Sequence, residues 1–245
     1  MEVVKRKKES CYQLQTKNFI RFIENYKENK IWRHQIDAVL QIKAYFENSK
    51  NKIGICVLPT GSGKSGISTM SPYACAARRV LVITPSKKIS KQMFDNFCDE
   101  KGQSFFVKRG LSTNTEFLDG VRPNCRGVIE KTNDIRLYFN DELVVTKFGT
   151  KSSVQINTIP KDGIDFVIVD KAQHYPADTW KEIIDYFSDA KKLFLTATPK
   201  NGENDILPNQ NQHICFQMER EELVNLGIIR NVVFDDSPSN SPDHP

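Results

Sequence analysis

Gly61, Ser62, Gly63, Lys64 and Ser65 ("GSGKS") stand between an apolar run and a segment of helical periodicity, and that placement carries chemical meaning. Two glycines let backbone N–H groups close on phosphate oxygens, and a helix starting there adds the positive end of its dipole. The Lys64 ammonium can reach terminal phosphates, and the Ser65 hydroxyl can ligate Mg2+. Pro59 and Thr60 complete the loop. The full phosphate-loop pattern asks for glycine five residues before Gly63, where this chain has Leu58; the plainer reading is a glycine-rich turn and a surface lysine. A second feature adds specificity. "FVIVD" ends in Asp170, and an aspartate at the C-terminal end of a buried strand can hold Mg2+ directly or through water on the same sheet edge as the loop. Without the loop, the same residue would read as a helix cap or a solvated strand end.

These residues need a parallel sheet to bring them together. "KIGICVL", "RVLVIT", "ELVVT", "DFVIV" and "KLFLTAT" are short apolar runs that predict buried strands. Helical spacing appears between them: Phe19, Ile20, Phe22, Ile23 and Tyr26; Ile36, Val39, Leu40, Lys43 and Phe46; the segment after the loop to about Ala77; Ile89, Met93, Phe94 and Phe97; and Trp180, Ile183, Ile184 and Phe187. Strands alternating with helices predict an α/β domain of three layers, a mainly parallel sheet covered by helices on both faces. Residues 100–142 have turn chemistry and weak periodicity, and read as loops with one or two strands. "DDSPSNSPDHP" has no apolar residue and reads as disordered.

Composition sets outer bounds. The 245 residues suit one domain with short appendages, and a net charge of +5 does not by itself require a nucleic-acid partner. Residues 1–30 hold eight Lys or Arg against four Glu, whereas residues 200–245 hold three basic against eight acidic residues. The ends have opposite signs. Six scattered cysteines without a CxxC pair predict reduced thiols, and no apolar stretch approaches the roughly 20 residues that cross a bilayer. An intracellular protein, cytoplasmic or nuclear, without a membrane partner is the expectation.

Taken in order, the motifs resemble the first RecA-like domain of superfamily 2 helicases, nearest to the restriction-subunit-like and DEAD/DEAH-box branches. "LPTGSGKS" resembles the first helicase motif, in which the early glycine is commonly replaced, "VITPSKK" the next, "VVTKFG" a segment touching nucleic acid, "VDKAQH" the DEAD/DEAH box, and "FLTATPK" the coupling motif. The resemblance implies a RecA-like P-loop domain over residues 31–230; charge and composition leave a basic N-terminal extension with a helix over 1–30 and a disordered Ser/Pro/Asp tail over 231–245. It implies ATP and Mg2+ as cofactors, nucleotide binding by Pro59 to Ser65 with Gln35 at the adenine edge, and Ser65 and Asp170 at the metal. Pro85, Ser86 and Lys88, with Thr146, Lys147 and Phe148, would lay down single-stranded DNA or RNA by its phosphates, without sequence preference. His174, Thr196, Ala197 and Thr198 would couple the two ligands, His174 bonding toward Thr196 or Thr198.

Two departures set the expected activity. The residue matching Lys171 is glutamate in the family, where with Lys64 and Asp170 it forms the catalytic set. A charged lysine is a donor only and cannot accept the proton of attacking water. The stretch "MEREELVNLGIIRNVVF" resembles the exit toward a second RecA-like domain, which would be met in trans or in a longer parent chain. The leading expectation is therefore an ATP-binding helicase or translocase domain defective in hydrolysis. Its competitors are a non-enzymatic module binding nucleic acid or protein, and an active DNA- or RNA-dependent ATPase within a longer protein.

Overall fold

The computed structural model describes residues 11–24, 30–97, 104–109, 124–126, 145–150, 160–174, 182, 185–201, 204–207 and 209–231. Among the described residues, seven strands form one sheet in the order β3-β4-β2-β5-β6-β1-β9, and every pairing in it is parallel. The strands are β1 (Ile53–Val57), β2 (Val80–Thr84), β3 (Asn124–Arg126), β4 (Val145–Thr150), β5 (Phe166–Asp170), β6 (Lys191–Thr196) and β9 (Ile214–Gln217). Two short strands, β7 (Lys200–Asn201) and β8 (Asn204–Asp205), pair antiparallel with each other. The helices are α1 (Cys11–Glu24), α2 (Arg33–Asn48), α3 (Lys64–Ala74), α4 (Lys87–Phe97), α5 (Phe105–Lys108) and α6 (Arg220–Asn225). This is the α/β architecture that the alternation of runs predicts, with the RecA-like form that the resemblance implies.

Why the strands read as unbroken apolar runs is visible in their two faces. Along β2, Val80 and Val82 enter one core, while Leu81 and Ile83 enter the other; β5 divides Phe166 and Ile168 from Val167 and Val169 in the same way. A strand buried on both faces has no solvent side on which to place polar residues. The first core is closed by α1 to α4, the second by Ile164, Ala172, Phe187, Ala190, Ile206 and Leu207. Each fully buried large side chain contributes roughly 1.5–3 kcal/mol relative to exposure.

Helix α1 lies in the segment expected as an extension, yet its Phe19 and Ile23 are fully buried in the first core. Phe19 meets Tyr73 of α3 at 5.5 Å between ring centroids and Phe106 at 6.5 Å. At the opposite end of the sheet from the loop, Asp165 ties two chain entries together: its carboxylate accepts the N–H of Arg78 at 2.9 Å and of Arg79 at 2.8 Å, so β2 and β5 start level. Burial raises the Asp165 pKa, against the pull of those backbone bonds.

Several expected segments shift or fall outside the described residues. Of "ELVVT", Val145 and Thr146 are described and lie in β4, while its first three residues lie outside the described residues, and α3 ends at Ala74 rather than near Ala77. Of the stripe Trp180, Ile183, Ile184 and Phe187, only Phe187 lies among the described residues, where it is buried. Tyr26 and the Ser/Pro tail also lie outside them. No helix among the described residues is long and apolar enough to cross a membrane.

Candidate nucleotide site

The phosphate loop leaves β1 at Val57 and enters α3 at Lys64. Gly61 (φ +87°) and Gly63 (φ +79°) take left-handed backbone that other residues enter at a steric cost, which is the reason for glycine at both positions. A Cβ on Gly63 would lie 2.5 Å from Gln35 Nε2, and one on Gly66 would lie 2.6 Å from Phe105 Cε2. The loop is therefore held by α2 from behind. Gln35 Nε2 donates to the Gly63 carbonyl at 2.8 Å, and His34 Nε2 lies 2.6 Å from the Ser62 carbonyl. A carbonyl only accepts, so His34 donates from Nε2, and burial lowers its pKa.

Lys64 Nζ donates to the carbonyls of Leu58 at 2.7 Å and Pro59 at 2.9 Å, so its ammonium lies across its own loop. Burial lowers the Lys64 pKa; the Asp170 charge opposes that shift and the Lys171 charge adds to it. All three groups therefore share one electrostatic neighbourhood. Lys171 follows β5 directly, is half-buried, and has left-handed φ of +54°, an uncommon conformation for a residue with a side chain.

Strand β6 lies between β1 and β5 and carries the residues expected to couple the two ligands. Val57 pairs with Thr196, Asp170 pairs with Leu195, and the Leu58 N–H donates to the Thr196 carbonyl at 2.9 Å. Thr196, Ala197 and Thr198 thus continue from the strand between the loop and Asp170. The Thr196 hydroxyl donates to Gln173 Oε1 at 2.7 Å and also contacts the Thr198 carbonyl. Gln173 is a residue that sequence reasoning misses; its place three positions after Asp170 is the available signal. His174 closes the 3-10 turn Ala172–His174, and its side chain lies outside the described residues.

The expected nucleic-acid residues are not brought to one place. Pro85 and Ser86 follow the end of β2, where Ser86 Oγ accepts the Ile89 N–H at 3.3 Å and starts α4, and Lys88 is exposed on that first turn. Thr146, Lys147 and Phe148 instead pair with Val80, Leu81 and Val82, within the ladder; the residue of β4 level with the end of β2 is Thr150. At about 3.3 Å per residue, Lys147 lies roughly 10 Å below that edge.

Mg2+ at such a loop needs few protein ligands, because phosphate oxygens and water supply the others. The Ser65 hydroxyl at the start of α3 and the Asp170 carboxylate at the end of β5 fit that need, and these two would hold the ion. Bound there with nucleotide, it would neutralise phosphate charge.

A glycine loop between strand and helix, an aspartate two strands away and a threonine on the strand between them define a RecA-like nucleotide-binding domain of helicase type. The family model described as "Type III restriction enzyme, res subunit" matches residues 11–201, and the chain belongs to that family. Helicase-family ATPase domains generally use ATP and Mg2+. No curated protein matches the chain. Among solved structures, it is similar to a nuclease-deletion mutant of the Type ISP restriction-modification enzyme LlaGI in complex with a DNA substrate mimic: 18% identity, 81% of this chain and 20% of that chain, TM-score 0.52. It is also similar to the ATP-dependent Type ISP restriction-modification enzyme LlaBIII bound to DNA, with 19% identity, 80% and 16% coverage and TM-score 0.51. The UvsW helicase from Bacteriophage T4 matches at 21% identity, 71% and 55% coverage and TM-score 0.46. The likeness to LlaGI and LlaBIII is one of fold alone, and the chain spans less than two thirds of each of the three relatives.

Proposed function

We propose that this chain is the ATP-binding first RecA-like domain, residues 31–230 with α1 packed on it, of a superfamily 2 nucleic-acid translocase or helicase, and that Lys171 disables its hydrolysis. The observation that carries this is the position of Lys171: immediately after Asp170, half-buried, and electrostatically within reach of Lys64. There it supports phosphate retention, while water loses the carboxylate that would take its proton. Loss of a general base costs on the order of 10²–10⁴ in rate. Measuring ATP affinity and ATP turnover on one purified sample tests the reading. Binding without turnover is expected; robust turnover overturns the role of Lys171, and absence of both favours an interaction module.

Nucleic acid is the proposed partner, inside the cell, and the DNA named in the LlaGI and LlaBIII descriptions favours DNA for this chain. The contacts available around Pro85, Ser86 and Lys88 are hydroxyl, backbone and ammonium groups, which bind phosphates and do not distinguish bases. Weak single-strand binding that falls with salt is expected, measured by fluorescence anisotropy across a salt series. Lys88→Ala should lower it for all sequences alike, and by more than Lys147→Ala, because Lys147 sits inside the ladder. A base preference that survives high salt would contradict the phosphate reading.

A further inference from the structure

Gln35 lies where the resemblance places an adenine-reading amide, but its surroundings in the fold give that amide other work. Its side chain has no exposed surface. Oε1 accepts the Trp32 backbone N–H at 3.2 Å, and Nε2 donates to the Gly63 carbonyl at 2.8 Å. The amide is wedged against both glycines of the loop-to-helix turn: an added Cβ would lie 2.5 Å from Nε2 at Gly63 and 2.7 Å at Gly66, and Phe105 closes the Gly66 side. The neighbouring aromatic is engaged as well. Trp32 stacks on His34 with centroids 5.6 Å apart and carries the Arg109 guanidinium 4.4 Å over its ring.

Base discrimination of the strong kind comes from a protein donor and acceptor aimed at the base edge, because a wrong base leaves them unpaired. A fully covered amide, with both its oxygen and its nitrogen bonded within the protein, does not impose that penalty. We infer that this site selects the polyphosphate of a nucleoside triphosphate and is indifferent to its base, Gln35 being a positioning residue that holds the Gly63 turn of the phosphate loop. The inference rests on the nucleotide-binding reading above and deepens it. The loop contacts that remain, Lys64 and the backbone from Gly61 to Ser65, address phosphate oxygens shared by all four nucleotides.

Isothermal titration of the wild-type chain with the Mg2+ complexes of ATP, GTP, CTP and UTP, and with inorganic tripolyphosphate, decides the matter. The expected result is four nucleotide dissociation constants within about threefold of one another. ATP binding tenfold or more tighter than GTP would overturn the inference while leaving nucleotide binding intact. Failure of all five ligands to bind would remove the nucleotide-binding reading, and this inference with it. Gln35→Ala supplies the second readout: a loop brace predicts a similar loss for every nucleotide and for tripolyphosphate. A loss confined to ATP would return Gln35 to the base edge and overturn the assignment. Because the wild-type series stands alone, misfolding of Gln35→Ala does not blunt the test.

Discussion

Lys171→Glu, joined to a second RecA-like domain from a relative, is expected to hydrolyse ATP faster than the same fusion retaining Lys171 by on the order of 10²–10⁴, the usual contribution of a positioned general base. The reasoning is chemical. Residue 171 follows the Asp170 strand end and is half-buried at the edge carrying Lys64. An ammonium there cannot accept a proton from water, whereas a carboxylate can. In the 245-residue chain alone the gain should be modest, because arginine fingers reaching the phosphates from a facing domain are worth on the order of 10³–10⁵ in related phosphoryl transfer. Four proteins make the comparison: the chain with Lys171 and its Lys171→Glu variant, each with and without the added domain. Steady-state phosphate release, with and without single-stranded DNA, is the measurement. Equal rates in the two fusions would show that this lysine does not disable the site.

Lys64→Ala should weaken ATP binding by tenfold or more and leave the urea unfolding midpoint nearly unchanged. In the fold, Lys64 Nζ bonds to the carbonyls of Leu58 and Pro59 in a part-buried setting that water can re-enter, so the loss to stability is about 1 kcal/mol or less. Its loss to the ligand is larger, since the ammonium is the cationic side chain of the loop. A pH dependence accompanies it. Burial lowers the Lys64 pKa, so the charged form disappears at lower pH than for an exposed lysine. Wild-type ATP affinity should therefore fall as pH rises through that lowered pKa, and Lys64→Ala should lack this decline. Equal calorimetric affinities of the two proteins would remove the phosphate-loop assignment.

Much of this protein was determined by short stretches of its sequence. Strands buried on both faces must be apolar along their whole length, so "VLVIT" and "FVIVD" disclose β2 and β5 without a partner in view. The phosphate loop is equally local, because the glycines, Lys64 and the start of α3 are consecutive. Lys171 could also be recognised as a departure, since its neighbours align the motif. What the tertiary structure alone decided depends on contacts between residues far apart in the chain. Gln35 meets Gly63 across 28 residues, a bond from α2 to the phosphate loop on which the inferred brace role rests. Gln173 meets Thr196 across 23 residues, and its place three positions after Asp170 marks the residue without naming that partner. Thr146 to Phe148 look like a surface segment until the register with Val80 to Val82 sets them inside the ladder. Helix α1 has the same amphipathic pattern whether it lies on solvent or on α3, and the burial of Phe19 and Ile23, with Phe19 against Tyr73 and Phe106, makes it part of the core. Periodicity records which face of an element is apolar; which element covers that face, and which polar atoms are used up beneath it, is settled by long-range packing.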